Sequence, residues 1–124
     1  MANPNIVNVT SILGTTTYLT PANTTANVLL SNAASSNLVF KINNIVCANV
    51  TGSAANVTVS IDNAAAGAGT DFPIVSTVSV PANSSLIAVD KTTSFYLMEN
   101  QSIVVTSGTS SAITYTISYE SIAS

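Results

Sequence analysis

Apolar and polar residues alternate along much of this chain with a period of two, which is the pattern of β-strands that bury one face. The two clearest examples are the segments 56–62 and 112–121. Their residues on the apolar face are Val57, Val59 and Ile61 in the first segment, and Ile113, Tyr115, Ile117 and Tyr119 in the second. Both segments are predicted to be half-buried antiparallel strands.

The longest apolar run, Asn37–Val50, is predicted to be a long central strand because Val, Ile and Phe dominate it. Phe40 and Ile42 share one face, but Ile45 returns to that face only if one extra residue is absorbed. A β-bulge at Asn43-Asn44 accomplishes this. A strand buried on both faces without a bulge explains the pattern equally well.

Shorter β-prone segments separated by Gly, Pro and Asn fill the rest of the chain. They are the segments 6–13, 16–20, 26–30, 72–80, 86–89, 94–98 and 103–106. Gly14 is expected to end the first strand, and Phe72, Ile74, Val78 and Val80 are assigned to the inward face of the segment 72–80. Eight to ten short strands without a helical pattern predict a single all-β domain over residues 1–124, an antiparallel β-sandwich of jelly-roll or Greek-key type.

The alternation also predicts which side chains form the common core of the two sheets. The predicted core residues are Phe40, Ile42, Val57, Val59, Ile61, Val78, Ile103, Tyr115 and Ile117. Core or sheet-interface packing, with the hydroxyl at the rim, is likewise the main interpretation for Tyr115 and Tyr119, because both are in phase with isoleucines.

The composition predicts a surface with unusually few charged residues. Hydrophobic residues make up 47% of the chain but charged residues only 6%, against about 25% in an ordinary globular protein. The surface must therefore consist of Ser, Thr, Asn and Ala, and the net charge of -3 gives little repulsion between copies. A protein of this kind is expected to self-associate.

The absence of two residue types excludes most kinds of catalytic and anion-binding site. The chain has no His and no Arg, and its basic side chains are Lys41 and Lys91. No His-based nucleophile pair and no Arg clamp can form, and two isolated lysines do not make a nucleic-acid surface. An acid-base pair of Asp90 and Glu99 has no predicted cleft, and Cys47 is interpreted as a buried apolar group. We predict neither enzymatic activity nor a cofactor.

The start of the chain lacks the basic and long apolar regions of a secretory signal, and no run of 18 apolar residues occurs. The expectation is a protein that is made in the cytoplasm, does not enter a membrane and remains in the cytoplasm until it is assembled.

Two places are candidates for interaction. The Asn63–Asp71 segment is a long loop rich in Ala and Gly, and its candidate contact residues are Ala65, Gly67, Gly69 and Asp71. Tyr18 has no predicted packing partner, so it is the candidate for stacking on a sugar. Asp62 and Asp71 are alternatively oxygen ligands for Ca²⁺ or simply two solvated carboxylates at strand ends.

Five segments taken together carry a resemblance to a known group of proteins. They are MANPNIVNVT, KINNIVCANV, TVSVPANSSL, FYLMENQSIVV and ITYTISYESI, which span nearly the whole chain. The set resembles small virion structural proteins of tailed phages, especially those of marine cyanobacteria. In that group the turn after FYLMEN more often carries Gly-Asp where this chain has Asn100-Gln101, which alters a turn and not an active site.

The resemblance implies a non-enzymatic β-sandwich building block of a phage particle. The first functional hypothesis is a decoration or cement protein on the capsid exterior, with other virion proteins, above all the major capsid protein, and further copies of itself as partners. The second is a receptor- or glycan-binding module of a tail or fibre. In the assembly, neighbouring molecules are expected to hold the chain ends, Met1 and Ser124.

Overall fold

The computed structural model describes residues 4–123 and is an antiparallel β-sandwich, as predicted. This part of the chain contains nine strands and one short 3₁₀ helix, Lys91–Thr93. The strands are β1 (Ser11–Leu19), β2 (Asn27–Asn32), β3 (Leu38–Asn49), β4 (Ala55–Asp62), β5 (Asp71–Val80), β6 (Ser85–Val89), β7 (Phe95–Leu97), β8 (Gln101–Ser107) and β9 (Ile113–Ala123).

The strands form two packed sheets. In the first sheet the order is β1-β9-β3-β6, and β7 also pairs with β3 beside β6. In the second sheet the order is β2-β8-β4-β5. All pairings are antiparallel. Between most consecutive strands the chain passes from one sheet to the other. The exceptions are the β4–β5 hairpin and the connection from β6 to β7, which stay within one sheet. This arrangement is a jelly roll, which decides between the two predicted types.

The central strand contains the bulge that the sequence left as one of two alternatives. The pairing of β3 with β9 shifts register between Ile42 and Asn44. Ile42 and Ile45 are both fully buried, although they are three residues apart, because Asn43 is the extra residue. Two apolar stretches of β3 therefore face the same core.

Most of the predicted core is confirmed. Phe40, Ile42, Val57, Val59, Ile103, Tyr115 and Ile117 are buried in one cluster, and Ile61 packs against that cluster as a partly buried residue. The prediction is wrong for Val78, which is 38% exposed. It is also wrong for the inward orientation of Phe72 and Ile74, which are 56% and 36% exposed.

The reason lies in the pairing of β4 with β5. Its register shifts twice, between Val57 and Val59 and again between Val59 and Ser60. Each shift changes the phase of β5 relative to its partner, so Val75 packs against the core instead of Phe72, Ile74 and Val78. The inward assignment is confirmed for Val80, which is buried. A simple alternation read from the sequence cannot include these changes of phase.

The first strand also differs from the prediction. Residues 5–8 form a turn, in which the amide of Asn8 donates to the carbonyl of Asn5, 3.1 Å away. β1 begins at Ser11 and continues through Gly14, because β9 provides a partner for every residue from Ser11 to Leu19. Gly14 therefore does not end the strand, and the segment 16–20 is not separate from it.

The apolar residues before β1 lie on the outer face of the first sheet. Pro4 and Ile6 line a shallow hollow of about 240 Å³ together with Val39, Tyr96 and Met98. Val39 is only 3% exposed although it lies outside the main core. The N-terminal segment thus acts as a partial cover and not as a strand.

The last strand is held within its own sheet. β9 pairs with β1 on one side and with β3 on the other as far as Ala123. The two terminal residues expected to be held by neighbours, Met1 and Ser124, lie outside the described residues.

Candidate interaction sites

The loop between β4 and β5, predicted as a contact loop, is fixed by hydrogen bonds from the neighbouring strands. The hydroxyl of Ser31 in β2 donates to the carbonyl of Ala65 at 2.6 Å, and the hydroxyl of Ser102 in β8 donates to the carbonyl of Ala64 at 2.7 Å. The amide of Ala65 donates to Oδ1 of Asn100 at 3.3 Å. The loop is therefore folded back against one end of the second sheet.

Two glycines allow the loop to approach the protein so closely. Gly67 has a φ of 74°, and a Cβ atom there would lie 2.9 Å from a methyl group of Val28. A Cβ atom at Gly69 would collide with the side chains of Asp62 and Asn63. Ala65, Gly67 and Gly69, named from the sequence as candidate contacts, thus also have a structural role.

The side chain of Asp62 accepts hydrogen bonds from the backbone of the loop. The interpretation of Asp62 as a solvated carboxylate is wrong. Its side chain is fully buried, and Oδ1 accepts from the amides of Ala64 and Gly69 at 2.7 and 3.0 Å. Asp71 is its direct partner in the pairing of β4 with β5. Within the described residues, no amide or hydroxyl group donates to Oδ2 of Asp62.

Asp71 shares this corner with the carboxyl group of Asp62, which changes the pKa of Asp71. The hydrogen bond with Asp62, followed by burial and by the charge of Asp62, raises the pKa of Asp71 above its ordinary value. Two carboxylates, one of them already engaged by backbone amides, are far from the 6–8 oxygens that Ca²⁺ takes. Among residues 4–123, no group of three or more His, Cys, Asp or Glu side chains is placed to hold a metal ion.

The raised pKa of Asp71 gives a prediction with a definite sign. Because the folded protein holds this proton more tightly than the unfolded chain does, ionising Asp71 lowers stability as the pH rises through its raised pKa. We therefore expect Asp71→Asn to be more stable than the wild type at neutral pH. The gain should shrink when the pH falls below about 4, the ordinary range of Asp, and stay below about 1 kcal/mol because the site is exposed. Urea unfolding between these pH values measures it.

Asp90→Asn is the matched control for this prediction. Hydrogen bonds from the side chain and backbone of Thr92 hold the pKa of Asp90 below its ordinary value. Its contribution to stability is present above the ordinary pKa and is lost as the pH falls, so this variant should lose stability at neutral pH. A loss of stability in Asp71→Asn at neutral pH would show that the two carboxyl groups do not repel each other.

Tyr18, the other candidate from the sequence, lies far from the loop. It is 74% exposed on β1 and pairs with Thr116 of β9. The loop lies at the end of the sandwich where Leu38 pairs with Ala123. Thr116 and Ala123 are seven positions apart on β9, which corresponds to about 23 Å of strand. The structure does not bring Tyr18 and the loop into one site.

β1 itself forms one end of the first sheet and has an open edge. Its nine residues, SILGTTTYL, include no charged residue and no proline, and its register with β9 is regular throughout. Besides Tyr18, its exposed large apolar residues are Ile12 at 54% and Leu13 at 63%. An edge of this kind presents unpaired backbone groups beside apolar side chains, which favours pairing with another strand.

The second sheet ends in β2 on the side of β1 and in β5 on the side of β6, and β5 differs from β1. β5 carries Asp71 and Pro73, and its pairing with β4 is interrupted by two shifts of register. Thr77 has a φ of 50°. Charges, proline and bulges are the devices with which natural sheets protect their edges, so β5 is protected and β1 is not.

A further site was not recognised from the sequence. The two basic side chains of the chain, Lys41 and Lys91, line the same cavity of about 320 Å³ together with Asn43, Ser94 and Glu120. The lysines are isolated in the sequence but line one cavity in the fold. They are 50 positions apart in the sequence, and no local pattern indicates that they line the same cavity.

Three elements position this cavity. Lys41 in β3 pairs with Glu120 of β9, so both side chains project from the outer face of the first sheet. The bulge in β3 supplies Asn43. The 3₁₀ helix supplies Lys91 and is held by Asp90, whose Oδ1 accepts from the amide of Thr92 at 2.9 Å and which forms a capping box with Thr93.

Two other side chains that can react or ionise are buried in the core. Burial raises the pKa of Cys47 to about 12, which keeps the thiol protonated and unreactive. Burial also raises the pKa of Tyr115 to about 12. The Tyr115 hydroxyl donates to the carbonyl of Thr106 at 3.0 Å and forms a hydrogen bond with the Ser107 hydroxyl at 2.8 Å. The tyrosine packs in the core as predicted, but its hydroxyl is buried.

No family model matches this chain, and no curated protein matches it. Among solved structures, it is similar to a subunit from a study of Bacillus endospore appendages, described as a novel family of disulfide-linked pili. The TM-score is 0.52 with 20% identity over 92% of this chain and 90% of the other. It is also similar to a chain of the IBDV T13 viral particle, with a TM-score of 0.53 and 6% identity. That match covers 93% of this chain and 32% of the viral chain. Both similarities confirm the fold. Within residues 4–123, no helix is long and apolar enough to cross a membrane.

Proposed function

We propose that this protein is a non-enzymatic structural subunit of a phage particle that decorates or cements the exterior of the capsid. The observation that carries the proposal is the open, uncharged edge of β1. A monomer that stays free in solution protects its sheet edges, whereas a subunit that pairs with a neighbour keeps one edge open. The two solved structures with a similar fold come from pili and from a viral particle. Both are assemblies, which supports the proposal that this chain is also a subunit of one.

The surface supports the same function. With 6% charged residues, an interface of this protein depends on apolar burial and on neutral hydrogen bonds. Ile12, Leu13 and Tyr18 provide apolar area beside the open edge of β1, and the backbone provides the hydrogen bonds. We propose that the partners are further copies of this chain and the major capsid protein, and that assembly takes place in the host cytoplasm.

This interface should resist salt. Raising the ionic strength from 0.15 to 1 M shortens the Debye length from about 8 to about 3 Å, which weakens contacts between charges and leaves neutral contacts unchanged. We expect the protein to co-sediment with its particles, or with itself, equally well at both concentrations. A loss of affinity of about tenfold, or 1.4 kcal/mol, at 1 M salt would mean that the lysines or carboxylates carry the contact.

Thr15→Lys tests the edge directly. Thr15 is exposed in the middle of β1, so a lysine there should leave the fold intact while placing a charge at the edge. We expect a loss of association of at least about tenfold. Ser76→Lys, on the exposed and already protected β5, is the matched control and should associate normally. If both variants behave alike, β1 is not the interface.

The copy number of the protein in purified particles separates the capsid from other locations. A decoration or cement protein should be present in a fixed ratio to the major capsid protein. A receptor- or glycan-binding module of a tail or fibre should be present at a small fraction of that ratio. The second function is favoured by one observation, the cavity that contains both lysines.

A further inference from the structure

We infer that the cavity lined by Lys41, Asn43, Lys91, Ser94 and Glu120 binds a carboxylated sugar, such as a uronic acid residue of a polysaccharide. This inference does not depend on the proposed assembly through β1. The cavity lies on the outer face of the first sheet near β7, whereas β1 is the opposite end strand of that sheet.

The charges of the cavity select an anion. The whole chain has a formal net charge of -3, yet its two basic side chains line one cavity together with a single carboxylate. Two ammonium groups and one carboxylate leave a local charge of +1. The lysines need not meet to hold the fold, because Lys91 is exposed on the 3₁₀ helix and that helix is held by Asp90, Thr92 and Thr93.

The remaining groups select hydroxyls on the same ligand. Glu120 accepts hydrogen bonds only, while the amide of Asn43 and the hydroxyl of Ser94 both donate and accept. An inorganic phosphate carries between one and two negative charges at neutral pH, so Glu120 would repel it more strongly than it repels a single carboxylate. The carboxylate of an acidic protein side chain would leave Glu120 without a donor. A sugar acid supplies a carboxylate for the lysines and hydroxyl donors for Glu120.

The shape and surroundings agree with this ligand. A cavity of about 320 Å³ is at the lower end of the size of small-molecule sites. Tyr96 of β7 lies directly opposite Lys41 in the pairing with β3 and is 45% exposed. Directly opposite residues have Cβ atoms about 5 Å apart on the same face, so Tyr96, which lines the adjoining hollow with Val39 and Met98, is a neighbour of the lysine cavity and not part of its lining.

The bulge in β3 has a consequence here. Without an extra residue at Asn43, the alternation of β3 would run unbroken from Lys41 to Cys47. Asn43 lies on the same face as Lys41 and lines the cavity, and the bulge allows Ile45 as well as Ile42 to be buried. Bulges are over-represented next to functional sites.

The experiment is a titration of the ¹⁵N-labelled full-length protein with glucuronate, glucose, acetate and phosphate, followed by amide chemical shifts. We expect glucuronate to give saturable shifts at residues 41–43, 91–94 and 120. The affinity for glucose, acetate and phosphate should each be at least tenfold lower. Lys91→Gln and Lys41→Gln should each weaken glucuronate binding at least tenfold. Glu120→Gln should reduce the preference for glucuronate over acetate.

Thr109→Asp is the matched control, because it lowers the net charge by one, as the lysine variants do, but lies in an exposed turn outside the cavity. It should bind glucuronate as the wild type does. Thermal unfolding of every variant confirms that the fold is retained, and Lys91→Gln remains decisive because Lys91 is exposed. Absence of saturable shifts would overturn the inference. Acetate binding as tightly as glucuronate would point to an acidic protein side chain, and tighter phosphate binding would show a simple anion site; either result would also overturn it.

Discussion

Replacing Phe40 with alanine should lower the free energy of unfolding by about 3–5 kcal/mol, the range measured for large aromatic residues in cores. Phe40 is 7% exposed and belongs to the common core of the two sheets. Its ring packs against Tyr119 with the two ring centroids 4.9 Å apart and the planes at 44°, a geometry that adds to the contribution of buried area. Chemical denaturation of the isolated protein measures the loss.

Phe72→Ala is the matched control for Phe40→Ala. The same side chain is removed, but Phe72 lies on the end strand β5 and is 56% exposed. Its loss should cost about 1 kcal/mol or less, since large effects are confined to buried and strained positions. If Phe40→Ala costs less than about 1 kcal/mol, the central strand is not where the structure places it. If Phe72→Ala costs as much as Phe40→Ala, β5 is buried under another element.

This pair of phenylalanines also shows what the sequence can and cannot predict. The apolar residues of β4 and β9 alternate without interruption, and each strand pairs with neighbours on both sides, so the period of two identifies the face that packs in the core. Ser60 and Asp62, on the other face of β4, are buried as well. β5 has a neighbour on one side only and contains two shifts of register. The apolar pattern of an end strand is under weaker constraint, and a shift that depends on the partner strand is not visible in the strand itself.

For β3, the sequence indicated a bulge as one of two alternatives, because this strand has neighbours on both sides. β3 pairs with β9, β6 and β7, so its apolar residues must face the core along its whole length. A break in the pattern between Ile42 and Ile45 then has to be absorbed by the backbone. The sequence narrowed this to two interpretations, and the register of β3 against β9 identifies the bulge.

The candidate sites were less predictable than the fold. The loop after β4 is visible in the sequence because of its glycines and alanines, but the buried carboxylate of Asp62 that holds it is not. The cavity with Lys41 and Lys91 depends on the jelly-roll order, which brings the 3₁₀ helix after β6 beside β3. Contacts between distant segments of this kind follow from topology, and a single sequence carries no local signal for them.

Asn49 is a second residue whose role appears only in the folded protein. It is 3% exposed at the end of β3, and Nδ2 donates to the carbonyls of Ser53 and Val80 at 2.8 and 3.0 Å. Oδ1 accepts from the amide and the hydroxyl of Thr51 at 2.9 and 2.8 Å. One side chain therefore joins the end of β3, the turn that follows it and the end of β5 in the other sheet.

We expect Asn49→Ala to cost about 1–3 kcal/mol, because it removes a donor from the buried carbonyl of Val80, whereas the carbonyl of Ser53 keeps the Thr51 hydroxyl as a donor. Asn49→Asp should cost at least as much at neutral pH, since it keeps the shape of the side chain but turns two donors into an acceptor facing the carbonyls of Ser53 and Val80. Asn56→Ala is the control, because Asn56 is exposed on β4, and it should change stability by about 0.5 kcal/mol or less. Urea unfolding distinguishes the variants. If Asn49→Asp is as stable as the wild type, the hydrogen bonds of Asn49 do not hold the two sheets together, and the packing of the apolar core alone closes this end of the sandwich.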